Sequence, residues 1–221
     1  MRKSVPEIID AVKICIDEIG LNDADFEGGQ DNMEMETIIR SKIIDALRFI
    51  NGNADWSLIE PDTVLTEASE AVAINENLVG IVRLPDNFMR LCYARFSSWP
   101  LYLSSEQIIY WNETEYATLS DPYATGTWER PKIAMVLNPG RTLQMYKAKT
   151  AEDNAEVGIL TEPVITEDED GEESIDISPK LLQALIYYIS GLTLLTYKDE
   201  HADSMFNQAM VLAGITPSPH E

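Results

Sequence analysis

Apolar side chains recur at helical spacing near the start of the chain. From Ser4 they return every three or four positions and predict an amphipathic helix that ends at Gly20. Ser4 and Glu7 have the spacing of a capping box. The same periodicity resumes at about Met33 and stops at the polar stretch Asn51–Asn53. The two segments therefore predict a helical hairpin.

The pattern changes after Trp56, where short apolar runs are broken by proline, glycine and aspartate. The runs have the length and alternation of β-strands and read DTVLTEA, LVGIVRLP, MRLCYARF, KIAMVL, TLQMYKA and VGILTEP. Pro139 and Gly140 suit the centre of a turn between the fourth and fifth runs. A short helix is expected from Ser105, where a possible cap precedes an acidic turn.

Acidic residues concentrate further along the chain. Residues 150–179 contain eleven acidic residues and no lysine or arginine. The run EDEDGEE lies between two short alternating stretches, so we expect a hairpin over residues 163–178 with a solvated acidic tip.

An uncharged stretch of seventeen residues, LLQALIYYISGLTLLTY, begins at Leu181. It is short for a membrane span and contains several polar residues, while its apolar side chains surround the helix axis. We therefore predict a helix buried on most sides, with Ser178 as its N-cap and Pro179 in its first turn. Helical sequence continues to Gly214. Gly191 would allow close approach of another helix, from this domain or from another copy, and is an interface candidate.

The elements together predict an α+β fold and one domain over residues 1–221. Its parts are a helical hairpin (1–55), a mainly antiparallel strand-rich region (56–177) that includes the acidic hairpin (163–178), C-terminal helices (179–214) and a tail (215–221). No internal repeat and no long linker divides the sequence.

Composition narrows the range of functions. The chain has 38 acidic and 16 basic residues, a net charge of −22, and 45% hydrophobic residues, enough for a core. A surface of this sign repels phosphate, so we do not expect the protein to grip DNA. Cys15 and Cys92 lie among apolar residues without metal-ligand spacing and are expected to be reduced core residues. No signal sequence follows the first methionine, so cytoplasmic synthesis is expected.

The acidic segment DADFEGGQDNME matches part of the pattern of a twelve-residue calcium loop. The candidate ligands are Asp23, Asp25, Glu27, Asp31 and Glu34. Gln30 stands where an aliphatic residue usually pairs with a second loop, and no second loop is present. We favour a plain acidic connection between helices, with no metal, and keep a monomeric calcium- or ligand-binding module as the alternative.

Motifs for catalysis are sparse. His201 and His220 lie outside any recognisable nucleophile arrangement, and the signatures of P-loop, dinucleotide-binding, serine hydrolase and zinc protease sites are absent. We expect a protein that is not an enzyme and needs no cofactor; an enzyme whose site is assembled from scattered acids is a further rival.

Ten aromatic residues lie between Phe88 and Trp128 with few basic neighbours. Core packing is expected for most of them, and a protein interface is the second interpretation because tryptophan, tyrosine and arginine favour such surfaces. Phe88, Trp99 and Arg83 are the interface candidates in this region.

Five segments, taken in their order along the chain, resemble those of a known family. They are VPEIIDAVKICIDEIGL, METIIRSKIIDALRFINGNADW, VRLPDNFMRLCYARFSSWP, VLNPGRTLQMYKA and LLQALIYYISGLTLLTYKDEHADSMFNQAMVLAG. The chain resembles the head-to-tail adaptor proteins of tailed bacteriophages, the tail accessory factors of short-tailed phages and especially the ring proteins of crAss-like phages. It departs from them in the long acidic stretch TEDEDGEESID.

The resemblance implies a structural virion protein at the neck, between the portal protein and a further tail or ring protein. It also implies a ring, commonly a dodecamer, made in the cytoplasm of the bacterial host, with DNA only as passing cargo and no membrane partner. In that family the acidic connection of the N-terminal hairpin recurs without calcium.

Overall fold

The computed structural model describes residues 1–17, 29–66, 72–137, 140–167 and 170–215. These residues contain five α-helices and three β-sheets, which confirms the predicted α+β fold. The chain divides into two compact units. We call Met1–Glu60 with Pro163–Glu221 the helical unit, and Pro61–Glu162 the sandwich unit. The prediction of one domain over the whole chain stays a prediction.

Four helices build the helical unit: α1 (Val5–Asp17), α2 (Gly29–Asn53), α4 (Leu182–Thr196) and α5 (Ala202–Leu212). The apolar stripe read from the sequence lies inside, with Ile8, Val12 and Ile16 of α1 each at most 1% exposed. The Ser4 hydroxyl accepts the Glu7 backbone N–H at 3.4 Å, as the capping box predicts. The predicted end of the first helix at Gly20 lies outside the described residues.

Helix α4 is the central helix of this unit and packs on α1, α2 and α5. Eight of its fifteen residues are buried. Two buried hydroxyls are satisfied within the helix, since Ser190 and Thr193 donate to the carbonyls four residues earlier at 2.9 Å. The expectation of a helix buried on most sides is therefore confirmed. None of the helices in the described residues is long and apolar enough to cross a membrane.

The helical sequence is interrupted between α4 and α5. Lys198 has a left-handed backbone with a φ of 59°. Its N–H donates to the Leu195 carbonyl at 3.1 Å, and the Asp199 N–H donates to the Leu194 carbonyl at 3.0 Å, which closes the last turn of α4. The C-terminal region is consequently two helices joined by a short turn.

A three-stranded sheet completes the helical unit. Its order is β1 (Arg2–Ser4), β11 (Glu173–Asp176) and β10 (Thr166–Glu167), all antiparallel. The pairing of β10 with β11 confirms the acidic hairpin, and β1 adds an N-terminal strand. Ser178 does not cap with its side chain; its hydroxyl donates to the Leu58 carbonyl at 2.7 Å.

Two sheets form the sandwich unit. One has the order β2 (Thr63–Thr66), β9 (Ala155–Thr161), β5 (Phe88–Phe96). The other has the order β3 (Val72–Ile74), β4 (Val79–Arg83), β8 (Thr142–Tyr146), β7 (Lys132–Val136), β6 (Ile108–Tyr110). The pairing of β6 with β7 is parallel and the other pairings are antiparallel. At Ser105, where a helix was expected, a single 3-10 turn leads into β6, while α3 (Thr114–Thr118) lies beyond that strand.

The two sheets face each other across one apolar core. Alternate residues of both contribute to it, including Leu91, Phe96 and Val157 from the first sheet and Val82, Leu143 and Met145 from the second. Because side chains alternate along a strand, the intervening residues lie on the two outer faces of the sandwich.

Candidate interaction surfaces

The outer face of the three-stranded sandwich sheet carries a connected set of polar and aromatic side chains. Cross-strand register places Arg95 beside Glu156 and Tyr93 beside Gly158. A Cβ at position 158 would lie 2.5 Å from Tyr93 Cε1, so glycine is what lets the tyrosine ring lie across the central strand. The Tyr93 hydroxyl then donates to Glu156 Oε1 at 2.5 Å.

Arg95 is held between Glu156 and an aromatic ring. Its Nη2 lies 3.6 Å from Glu156 Oε2, and its guanidinium lies 4.4 Å from the centre of the Tyr102 ring. Burial, followed by the hydrogen bond to Glu156, raises the pKa of Tyr93 above its ordinary value, so the phenol remains a donor across the physiological range. The cluster is fixed by charge-assisted and cation–π contacts.

Beside this cluster lies a groove of about 400 Å³. It is lined by Val64, Thr66, Arg95, Ser97, Asn154, Ala155 and Glu156. Arg95 Nε is buried and has no hydrogen-bond partner among the described residues. Val64 is 46% exposed and supplies an apolar side chain to the groove. The groove combines an exposed aliphatic side chain with polar groups that the cluster holds in place.

Asp153 fixes one end of the groove. Its carboxylate accepts hydrogen bonds from the Ser97 hydroxyl at 2.5 Å, from the hydroxyl and N–H of Ser98, and from the Lys149 N–H at 3.1 Å. Burial acts to raise the pKa of the Asp153 carboxyl, but these hydrogen bonds outweigh it and hold the pKa below its ordinary value. The adjacent groove residues Ser97 and Asn154 are positioned by this network.

A second surface lies on the opposite outer face of the sandwich. Residues 111–131, which join β6 to β7 and which we call the aromatic loop, are mostly exposed. Leu119 and Tyr116 anchor the loop against Ile109, Ala134 and Tyr146 on the outer face of the five-stranded sheet. Lys132 Nζ lies 2.8 Å from Glu115 Oε1 and ties the loop to β7.

The exposed end of the aromatic loop is ordered by local hydrogen bonds. Asp121 Oδ1 accepts the Tyr123 N–H at 2.9 Å, and the buried Thr125 hydroxyl donates to the Pro122 carbonyl at 2.8 Å. Tyr123 is nevertheless 95% exposed, and Trp128 is 41% exposed beneath Lys149. The loop thus presents aromatic side chains on a defined backbone.

The interface candidates read from the sequence fall in different environments. Trp99 is 4% exposed, its ring packs edge-on against Phe96, and its indole N–H donates to the Lys147 carbonyl at 3.0 Å. This residue belongs to the core, the environment expected for most of these aromatic residues, and a role of Trp99 at an interface stays untested. Phe88 is half-buried against the same core, whereas Arg83 is exposed at the end of β4. Arg83 alone of the three is a surface residue.

Gly191 faces its own chain. An added Cβ would lie 2.8 Å from Cδ1 of Phe206, a residue of α5. The close approach that was expected of this glycine therefore occurs between α4 and α5 of one molecule. A contact with another copy is no longer needed to explain it, and an interface at Gly191 stays untested.

The candidate calcium ligands Asp23, Asp25 and Glu27 lie outside the described residues, as does the side chain of Asp31, whereas Glu34 is exposed on α2. Within the described ranges, no group of three or more histidine, cysteine, aspartate or glutamate side chains could hold a metal ion. The calcium alternative consequently stays a prediction.

The other reactive residues have structural surroundings. Cys15 and Cys92 are both buried and form no disulfide, and burial raises the pKa of Cys92 to about 12. His201 precedes α5, with its Nδ1 2.8 Å from Asp199 Oδ1. His220 lies outside the described residues.

The sequence alone did not identify Glu156 and Asn154 as candidate site residues, and it did not single out Tyr93 or Arg95 from the other residues of their strand. The alternation in MRLCYARF already places Tyr93 and Arg95 on one face of a strand. Glu156, however, lies 63 residues from Tyr93 in sequence, and the register that brings it beside Tyr93 and Arg95 becomes known only from the fold. No protein-family model matches the chain, and no curated protein matches it.

Proposed function

We propose that the chain is the subunit of a ring that connects the portal of a tailed phage to its tail and lets DNA pass. The observation that carries the proposal is the aromatic loop, where Tyr123 and Trp128 stand exposed on an ordered backbone. Tyrosine and tryptophan are the side chains that most often dominate protein interfaces. The order of elements supports the same proposal, since helices from both ends of the chain share one unit and the residues between them in sequence form a strand-rich unit.

Charge also supports a passage that does not hold DNA. The helical unit has 24 acidic and 8 basic residues, a formal charge of −16, whereas the sandwich unit has 14 and 8, a formal charge of −6. Phosphate contacts by lysine and arginine supply most non-specific affinity for DNA. A ring that exposed acidic surface to its lumen would disfavour tight phosphate contacts. A strongly basic lumen would contradict this part of the proposal.

Native mass spectrometry and negative-stain electron microscopy test the proposal. The full chain is examined alone and after mixing with the portal ring of the phage that encodes it. We expect a closed ring, of twelve copies if the resemblance holds, either alone or on the portal. A chain that stays monomeric under both conditions would contradict the proposal. If its melting temperature also rose with calcium, the ion-binding alternative would replace it.

A further inference from the structure

The tip of the aromatic loop is a tyrosine held out in solvent. Tyr123 is 95% exposed, although burying a tyrosine removes about 150 to 250 Å² of surface from water. Pro122 restricts the backbone before it, and the Asp121 carboxylate fixes the turn through the Tyr123 N–H. Such a preformed turn loses little conformational entropy when it binds.

The groove on the other side of the sandwich has the size and chemistry to receive a side chain of this kind. Its volume of about 400 Å³ is within the range of pockets that hold small ligands. Val64, which is 46% exposed, offers apolar contact for a ring, while Arg95 and Asn154 offer donors for a hydroxyl oxygen. Glu156 lies 3.6 Å from Arg95 and offsets its charge, which disfavours a small anion as the occupant.

We propose that Tyr123 and the turn around it dock in the groove of a second copy of this chain. The inference rests on the proposed ring and identifies the contact between its neighbours. The aromatic loop and the groove lie on opposite outer faces of one sandwich, so the loop does not reach the groove of its own molecule.

This placement determines the symmetry of the contact. One copy contributes the loop and the next contributes the groove, so every copy retains an open loop on one side and an open groove on the other. Such a contact is heterologous, and it repeats until a ring closes or a filament grows. A twofold dimer would need the loop and the groove of each copy in one shared patch, which their positions on opposite faces do not provide.

Directed disulfide trapping tests the contact in the full chain. One preparation carries Ser120→Cys, an exposed site in the aromatic loop that leaves Tyr123 in place, and a second carries Asn154→Cys in the groove, where the side chain is exposed. The native cysteines are buried, which limits their reaction. After mixing and mild oxidation, we expect the yield of the mixed disulfide to be at least fivefold higher than that from pairing Ser120→Cys with Glu76→Cys, an exposed turn residue of the sandwich unit. Equal yields would overturn the inference.

Substitutions without cysteine give a second readout by analytical ultracentrifugation. Tyr123→Ala and Val64→Glu should each weaken self-association, or assembly on the portal, at least tenfold at an unchanged melting temperature. Val211→Ala and Val164→Glu are the matched controls, because both valines are exposed in the helical unit, at 76% and 62%. Controls that weaken association as much as the test variants would overturn the assignment.

The outcomes separate this inference from the proposed function. Rings that form without enrichment of the trapped pair, and that tolerate Tyr123→Ala, would overturn the contact and leave the connector proposal standing. An enriched disulfide in open chains that never close would support the contact and contradict the ring. A chain that neither associates nor traps, with or without the portal, would overturn both.

Discussion

Gly191 is the position where a single added carbon would meet an aromatic ring of the same chain. A Cβ added at this position would lie 2.8 Å from Cδ1 of Phe206. The centre of the Phe206 ring lies 5.2 Å from the centre of the Tyr188 ring. We expect Gly191→Leu to lower the free energy of unfolding by about 3 kcal/mol, because overpacking outweighs the gain in helix propensity.

Denaturant unfolding of Gly191→Leu, Phe206→Ala and the double variant measures this coupling. The double variant should recover about 1 kcal/mol or more relative to the sum of the single changes. Ser204→Ala, an exposed site on α5, is the control. A Gly191→Leu protein that unfolds like the wild type but no longer self-associates would place Gly191 at an interface instead.

Asp153 is the carboxylate that holds Ser97 at the edge of the groove by a hydrogen bond. Its pKa is lowered in the folded state, so the unfolded chain binds the proton more readily, and stability rises with pH through this group. The contribution is complete above the unfolded pKa of about 3.9 and is lost as the pH falls through the lower folded value. We expect Asp153→Asn to destabilise by about 1 to 3 kcal/mol at neutral pH, since an amide satisfies fewer of the four donors.

Melting temperatures between pH 3 and 8 check this expectation. The difference between wild type and Asp153→Asn should be constant from pH 6 to 8 and shrink in acid. Glu152→Gln changes an exposed neighbouring carboxylate and should leave the curve nearly unchanged. A difference that grew in acid would contradict the hydrogen-bonded carboxylate.

At the scale of elements, the N-terminal strand and the acidic hairpin depend on each other. Met1 and Ile177 exchange backbone hydrogen bonds at 2.8 and 3.0 Å, which makes Lys3 and Ile175 the next hydrogen-bonded pair of the ladder. Lys3→Pro removes the N–H of that pair. We expect the backbone amides of β11 to exchange hydrogen about five- to tenfold faster, which corresponds to the loss of one hydrogen bond.

Hydrogen exchange with mass spectrometry follows that change in the peptide covering residues 173–177. Lys3→Ala keeps the backbone donor and should exchange like the wild type. A peptide from β9 in the sandwich unit should be unaffected by either change. Faster exchange in both peptides would indicate global destabilisation and not a local strand pairing.

The sequence pattern predicts the long elements and misses several of the short ones for a physical reason. Helices α1 and α2 and strands such as β5 have enough residues for a period of 3.6 or 2 to be read. Strands β1, β3 and β6 have only three residues each and are held by partners elsewhere in the chain. The break at Lys198 contains neither glycine nor proline, so the sequence gives no signal of it. Hydrogen bonds of the last helical turn support the left-handed backbone of Lys198 instead.

The candidate interaction surfaces are harder to predict from the sequence than the short strands. Tyr123 is visible in the sequence as one aromatic among many, and nothing local distinguishes it from the buried Trp99. Only the packing of Leu119 and Tyr116 onto the sheet shows which part of the aromatic loop is anchored and which is exposed. The groove requires the register of three strands before its residues come together.

For the whole molecule, the net charge determines how strongly separate copies of the chain repel each other. Each chain carries a formal charge of −22, so neighbours in a ring repel each other over roughly a Debye length, which is about 30 Å at 0.01 M salt and 10 Å at 0.1 M. The proposed contact joins a neutral tyrosine to a groove in which the charges of Arg95 and Glu156 offset each other, so it changes little with salt. Raising sodium chloride from 0.02 to 0.3 M should therefore tighten self-association about tenfold or more, measured by sedimentation or mass photometry. Choline chloride at equal ionic strength should act alike, because screening does not depend on the identity of the cation. Association that weakened with salt would mean that opposite charges, and not the aromatic tip, hold the subunits together.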